Sequence, residues 1–292
     1  MSSNMWYSSL LRHLLTLLFT ALLGGLLGAT LVRFGPGFGV DERELDTRLH
    51  EDSIQALRRS HSEERNLFHF YASYLNGAVH GNLGVSHSFA RPVTQLFAER
   101  LPVTLRTVAV GLASGWLLGL LLALPAATLR GWRFDFFASS ATSAFLCLPS
   151  AVVAILFLYF GGPVALAVCA AVFPRIFRYS RNLLVQTYTQ PHVLTARARG
   201  LSGIRILLWH IFPVAAPQLL ALAGVSVSIS LGAAIPIEVI CDSPGIGQLA
   251  WQAALSRDLP LLVNMTLFVT LVTLAANSAA DLTTKAFLRH AA

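Results

Sequence analysis

Long apolar runs alternate with short polar segments along this chain, and the run lengths set the expected elements. Apolar stretches cover Leu10–Val32, about Val103–Leu129, Phe136–Phe160, roughly Trp209–Pro236 and Pro260–Thr284. Gly161-Gly162-Pro163 makes a tight turn into a further, shorter run that ends near Phe177. A helix needs roughly 20 apolar residues to cross a bilayer. The pattern therefore predicts six transmembrane helices in an all-α integral membrane protein. The first run is too long for the apolar core of a signal peptide and no clear cleavage site follows it, so it reads as a retained span.

Between the first two spans lies the polar stretch Arg33–Pro102, which mixes nine of the chain's fourteen acidic residues with eight basic ones. The expected organisation is an N-terminal region with the first span (1–32), an extracytoplasmic polar domain (33–102) and a membrane core (103–292). Within the second span Gly111, Gly115 and Gly119 recur every four residues, and Gly24 and Gly28 repeat the spacing in the first. Small residues on one helix face let helices approach closely in lipid, here read as packing within the chain.

Composition agrees with a membrane protein: 55% of residues are hydrophobic and 12% charged. The net charge of +7 sits largely in short segments between spans, where it reports topology and not nucleic-acid affinity. Arg130 and Arg133 follow the second span, and Arg175, Arg178, Arg181, Arg197, Arg199 and Arg205 lie between the fourth and fifth. Lys285 and Arg289 are in the tail, whereas the last loop holds Glu238, Asp242 and Asp258 against Arg257 alone. With six spans the basic segments share one side with both termini, the cytoplasmic side of a plasma or bacterial inner membrane. Cys147, Cys169 and Cys241 are scattered without metal or redox spacing.

The segment Thr195–Pro217, TARARGLSGIRILLWHIFPVAAP, interrupts this pattern with three arginines, no acid, a glycine at Gly200 and two prolines. Ala196 and Ala198 favour helix, and Gly200 suits a helix stop. It reads either as a plain basic loop or as a surface helix that docks into another protein. The segment resembles the cytoplasmic coupling loop of ABC-transporter permeases of the dipeptide/oligopeptide/nickel branch. The matching positions are Thr195, Ala196, Arg197, Ala198, Arg199 (a lysine in most of the family), Gly200, Leu201, His210 and Pro217, within a coupling loop over 178–217 that opens on Arg178 and Arg181. His80-Gly81-Asn82-Leu83-Gly84-Val85-Ser86 is similar to the family's HGDLG-S segment, with Asn82 for the usual Asp. Ser243-Pro244-Gly245-Ile246-Gly247 and Arg257-Asp258-Leu259-Pro260 resemble its PGLG and R-D-Y/L-P pair, and Asn277 and Asp281 also fit.

The resemblance implies a permease subunit that hydrolyses nothing itself and binds no cofactor. ATP and Mg would belong to two cytoplasmic ATPase subunits, one of which grips the coupling helix. A homologous second permease, an extracytoplasmic substrate-binding protein and the lipid bilayer are the other implied partners. His80, Gly81, Leu83, Gly84, Pro244, Gly245, Gly247 and Asp258 become candidates for the outer gate or binding-protein contact. Di- or oligopeptides are the expected cargo, with nickel or glycosides and a passive channel as alternatives. Two departures touch the outer face: Pro36-Gly37 continues as Phe38-Gly39 where the family has PGDP, and the stretch between the third and fourth spans is short.

Other chemistry is weakly supported. His50, His61, His69, His80 and His87 lie in the first external domain, but their spacing fits no compact ligand motif, so no metal site is expected. An intramembrane hydrolase needs a nucleophile and a base, or paired ionisable groups, within the spans. Arg106, Arg175 and Asp281 sit toward span ends, and Ser143 and Ser150 have no base beside them in the sequence. Ser226, Ser228 and Ser230 alternate and so cannot all share one helix face.

Overall fold

In lipid every backbone N–H and C=O must find its partner within the protein, which leaves helix as the economical element for an apolar run. The computed structural model describes residues 81–128 and 132–291, with isolated helical positions at Leu15, Phe19, Thr20, Leu23, Leu26, Thr30 and Gly77. The first span as a whole, with Gly24 and Gly28, and most of the 33–102 domain, with His50, His61, His69 and His80, lie outside the described residues.

The described chain forms α1 (Val93–Thr128), α2 (Trp132–Cys147), α3 (Ser150–Tyr159), α4 (Val164–Tyr188), α5 (Pro191–Ala198) and α6 (Gly203–Ile206). A π-helical turn, Leu207–Ile211, leads into α7 (Phe212–Ile240), followed by α8 (Ile246–Leu255) and α9 (Leu259–Ala291). No strand occurs among the described residues; one isolated bridge pairs Val85 with Pro92. Two compact units emerge: Met1–Leu101 with Leu249–Leu271, and Pro102–Gln248 with Val272–Ala292.

Three helical stretches are long and apolar enough to cross a membrane, Val93–Thr128, Gly203–Ile240 and Leu259–Phe287. The expected third span is not one straight helix, because α2 and α3 meet at a bend of 99°. Pro149 is the cause: it has no N–H to donate and it disfavours helical backbone at Leu148. The fourth run also differs from expectation, since α4 continues through Arg175, Arg178 and Arg181 to Tyr188. Apolarity fades near Phe177, but nothing there breaks the helix.

In the larger unit, α4 lies at the centre. Ala167, Val168, Val172 and Ile176 pack with Val153 and Ala154 of α3 and Leu222, Ala233 and Ile237 of α7. Phe177, Leu184 and Tyr188 pack with Ala123 and Ala127 of α1, Val193 and Ala196 of α5, and Ala215 and Leu219 of α7. The α1 glycines permit this approach. A Cβ at Gly111 would stand 2.7 Å from Val168 Cβ, and one at Gly119 2.7 Å from Ile176 Cγ2. Gly224 of α7 similarly faces Ala280 and Asn277 of α9. Arg181 forms a forked ion pair with Asp135 of α2, its Nε donating to Oδ1 at 2.8 Å.

In the smaller unit, a loop before α1 is fastened to the start of α9. Asp258 caps α9 by accepting from the Leu261 N–H at 3.2 Å, and its other oxygen accepts from Ser86 Oγ and the Ser88 N–H. Asn264 Nδ2 donates to Leu83 O at 2.9 Å. Ser86, Asp258 and Asn264 are all buried, and each uses its burial in a formed hydrogen bond.

Candidate coupling segment and outer-side turn

α5 starts four residues earlier than the Thr195 motif, with Pro191 in its first turn, where the missing N–H costs no helical bond. Val193 and Ala196, three apart, are buried against the core, which turns Leu194, Thr195, Arg197 and Ala198 outward. The helix stops at Gly200 by a specific geometry. Gly200 has φ +74°, its N–H donates to Arg197 O at 2.9 Å, and the Leu201 N–H reaches back to Ala196 O at 3.3 Å. This pair of bonds is the Schellman motif, which needs the left-handed conformation glycine adopts freely. Thr195–Leu208 is therefore two helical pieces joined at the glycine stop that the sequence suggested.

Past the stop, α6 and the π turn run without a break into α7. Ile206 and Ile211 are buried, while Ile204, Leu208, Trp209 and Phe212 are exposed. Ile204, Leu208 and Phe212 recur every four residues, giving an apolar ridge flanked by the exposed Arg205. Pro217 lies inside α7, not at its opening; Pro213 stands at the opening instead. The backbone O of Pro217 accepts from Thr284 Oγ1 of α9 at 3.3 Å.

Two contacts tie the pieces together. His192 Nε2 lies 3.0 Å from His210 O, joining α5 to the π turn; as donor to that carbonyl, the ring carries its proton on Nε2. The Arg197 guanidinium stacks over the Tyr188 ring at 5.7 Å from its centroid. Burial pushes the Tyr188 hydroxyl above its ordinary pKa, and the charge of Arg197 opposes that shift.

The Pro244–Gly247 turn of the same unit is built around an acid. Glu238, near the end of α7, has no solvent exposure, and its Oε2 accepts from the Gly247 N–H at 2.7 Å. The preceding N–H, that of Ile246, donates to Thr104 Oγ1 of α1 at 2.7 Å. A Cβ at Gly245 would overlap the Glu238 carboxyl, and one at Gly247 would stand 2.6 Å from Ile235 Cα. The two glycines are therefore required by close approach of backbone to α7.

The candidate outer residues thus belong to separate assemblies. Leu83 and Asp258 are both held in the smaller unit, Leu83 O by Asn264 and Asp258 by Ser86 and Ser88, with Gly81 and Gly84 at φ +79° and +80°. Gly245 and Gly247 lie against Glu238 in the larger one, with Pro244 in the same turn. His80 lies outside the described residues. Thr104, Asn264 and His192 did not stand out in the sequence, and Ser86 and Glu238 entered there only as a motif position and a loop charge. For Glu238 a signal existed: it is the one acid in the apolar run Ile235–Ile240.

A bundle of this kind, with a glycine-stopped basic segment leading into a long span, can be set beside known proteins. Residues 115–291 match the family described as binding-protein-dependent transport system inner membrane component. The chain belongs to that family. It is an ABC permease of the binding-protein-dependent importers, a family of membrane subunits and not of enzymes. A protein of Brucella suis biovar 1 (strain 1330) named as a peptide permease is 29% identical over 295 residues, 89% of this chain and 92% of that protein. The nickel import system permease protein NikB of Staphylococcus aureus (strain USA300) is 26% identical over 300 residues, 94% of this chain and 89% of its own. The dipeptide transport system permease protein DppB of Lactococcus lactis subsp. cremoris (strain MG1363) is 24% identical over 239 residues, 75% of this permease and 79% of its own length. Among solved structures, a chain of the inward-facing MetNI methionine ABC transporter aligns with TM-score 0.62 at 17% identity, over 66% of this permease and 97% of that chain. That likeness concerns the fold of the permease.

Proposed function

We propose that this permease is the transmembrane subunit of an ATP-driven importer that carries di- or oligopeptides inward across the bacterial inner membrane, with both termini cytoplasmic. One observation carries the reading: the coupling segment is rigid underneath and unsatisfied on top. Val193, Ala196, Ile206 and Ile211 anchor it in the core, while Leu194, Arg197, Arg199, Arg205, Ile204, Leu208 and Trp209 face outward. Apolar side chains ringed by arginines suit a groove on a soluble partner, since aromatic and arginine residues dominate the energetics of such contacts.

The partner in this reading is a cytoplasmic ATPase, present in two copies and holding ATP and Mg. Closure of the ATPase pair displaces α5 and the α6 ridge together, because the Gly200 stop, the His192 contact and the shared core join them. The π turn passes that displacement into α7. A homologous second permease and an extracytoplasmic binding protein complete the assembly. The Asp258 clip and the Glu238 turn are its candidate outer elements. Peptide cargo is supported by the names of relatives at 29% identity. The test is reconstitution of the permease with its ATPase and binding-protein partners in liposomes. ATP-dependent accumulation of a labelled di- or tripeptide is expected. Accumulation of nickel alone, or peptide leakage independent of ATP, would replace the peptide-importer reading.

A further inference from the structure

The first turns of α7 fix where the core lies. Ile211, Ala215, Leu219 and Leu222 follow one another at three or four residues and are all buried, so they mark one helix face. Carried back from Ile211 at ordinary helical spacing, that face takes in Leu208, Leu207 and Ile204, three, four and seven residues earlier. All three are large and apolar, the pattern of a face made for burial. The structure places two of them otherwise. Ile204 and Leu208 are exposed, while Ile206, which ordinary spacing would turn off that face, is buried.

The π turn makes the exchange. Residues five apart in an α-helix point about 140° apart. Across this turn the Phe212 N–H reaches back five residues, to Leu207 O, which brings Ile206 and Ile211 to one side. Two residues hold the turn in place. Pro213 has no N–H, and in a continuous α-helix its ring would press on the Trp209 carbonyl four residues back. His192 of α5 donates from Nε2 to His210 O, within the turn, at 3.0 Å. We propose that Pro213 and His192 are positioning residues for the ATPase contact: through the π turn they hold a one-residue offset that rotates the Ile204–Leu208 ridge from the core to the docking surface. Without the offset the same helix hides the ridge, Ile206 turns outward, and the ATPase meets a face without its apolar anchors. This inference rests on the docking reading of the segment and adds what presents the docking face.

The test uses the full-length permease with Cys147, Cys169 and Cys241 replaced by serine and a single cysteine introduced as Ile204→Cys or Ile206→Cys. A membrane-impermeant maleimide is applied to inside-out vesicles, and co-purification of the ATPase is measured in parallel from cells that co-express it. With the turn intact, position 204 should react faster than position 206. His192→Phe/Pro213→Ala, which lifts both constraints, is expected to reverse that order and to lose the ATPase. Deleting Leu207 from this variant brings Ile206 and Ile211 to four residues apart, an α-helical spacing, and keeps Ile204 turned away from them. The deletion is expected to restore both the original order and ATPase binding, whereas simple loss of packing would only be made worse by it. If the double variant does not accumulate, Pro213→Ala alone serves for the same comparison. An unchanged order, or a reversal that the deletion does not undo, overturns the proposal. If the wild-type permease retains no ATPase, the docking reading fails; a wild-type complex with an unchanged labelling order in the variants defeats the present proposal alone.

Discussion

The coupling segment and the Pro244–Gly247 turn lie in one unit of the permease, and both depend on glycines, yet they are built to opposite ends. The turn takes up its backbone donors internally: the Ile246 and Gly247 N–H groups are satisfied by Thr104 and Glu238, and no room remains over Gly245. The coupling segment does the reverse. A Cβ added to its glycine at position 200 would meet nothing within 4 Å, and its arginines and apolar ridge point away from the core. A closed glycine marks a structural joint, whereas an open one beside unsatisfied side chains marks a surface meant for something else.

That contrast can be broken most forcefully at the turn. Gly245→Val forces a branched side chain against the Glu238 carboxyl and is expected to destabilise by about 3 kcal/mol or more. The measurement is membrane yield and thermal unfolding in detergent; wild-type values would show that the turn is not closed. Glu238→Ala, expected to cost about 1–3 kcal/mol by stranding the Gly247 N–H, should make room for Gly245→Ala, so that the double variant is less destabilised than the two singles summed. Strict additivity would contradict the packing.

At the coupling segment the effects should appear in function. Gly200→Asp places a non-glycine residue at φ +74° in open space, which costs only about 1 kcal/mol of stability. The variant should insert and accumulate normally yet lose ATP-driven uptake, and wild-type uptake would refute the docking role. His192→Phe keeps bulk but removes the donor to His210 O; uptake per ATP hydrolysed should fall, and His192→Gln, which restores a donor, should recover part of it. Equal ratios in all three proteins would mean that the contact carries no coupling. The smallest effect is expected at Arg197→Gln, where loss of the guanidinium over the Tyr188 ring is worth about 0.5–1 kcal/mol, while Tyr188→Phe, which keeps the ring, should be neutral in the same unfolding assay.

How much of this was legible in the sequence follows the same division. Local rules revealed the Gly200 stop, the Gly111–Gly119 face and the all-helical plan, because each rests on residues near one another in the chain. The 99° bend was also written locally, in Leu148-Pro149, but the surrounding apolar run Phe136–Phe160 masked it. The length of α4 was hidden for the opposite reason: hydropathy fell at Arg175 while the helix continued. The partners of Glu238, Thr104 and Ser86 could not be selected in advance, since each lies on a different element: Gly247, Ile246 and Asp258. Spacing along a chain reports faces and stops; it does not report which distant backbone N–H a buried carboxyl will meet.

The claim that the outward face of the coupling segment is a docking surface for an ATPase can be tested by photo-crosslinking in native membranes with the partner subunits co-expressed. A photoreactive residue at Ile204, 71% exposed on the ridge, should form an adduct with the ATPase subunit that changes in yield when ATP and vanadate are added. The same probe at Tyr159, 82% exposed at the end of α3, should form none. Absence of any ATPase adduct from Leu194, Ile204, Leu208 and Trp209, in membranes where the ATPase is present, would contradict the account.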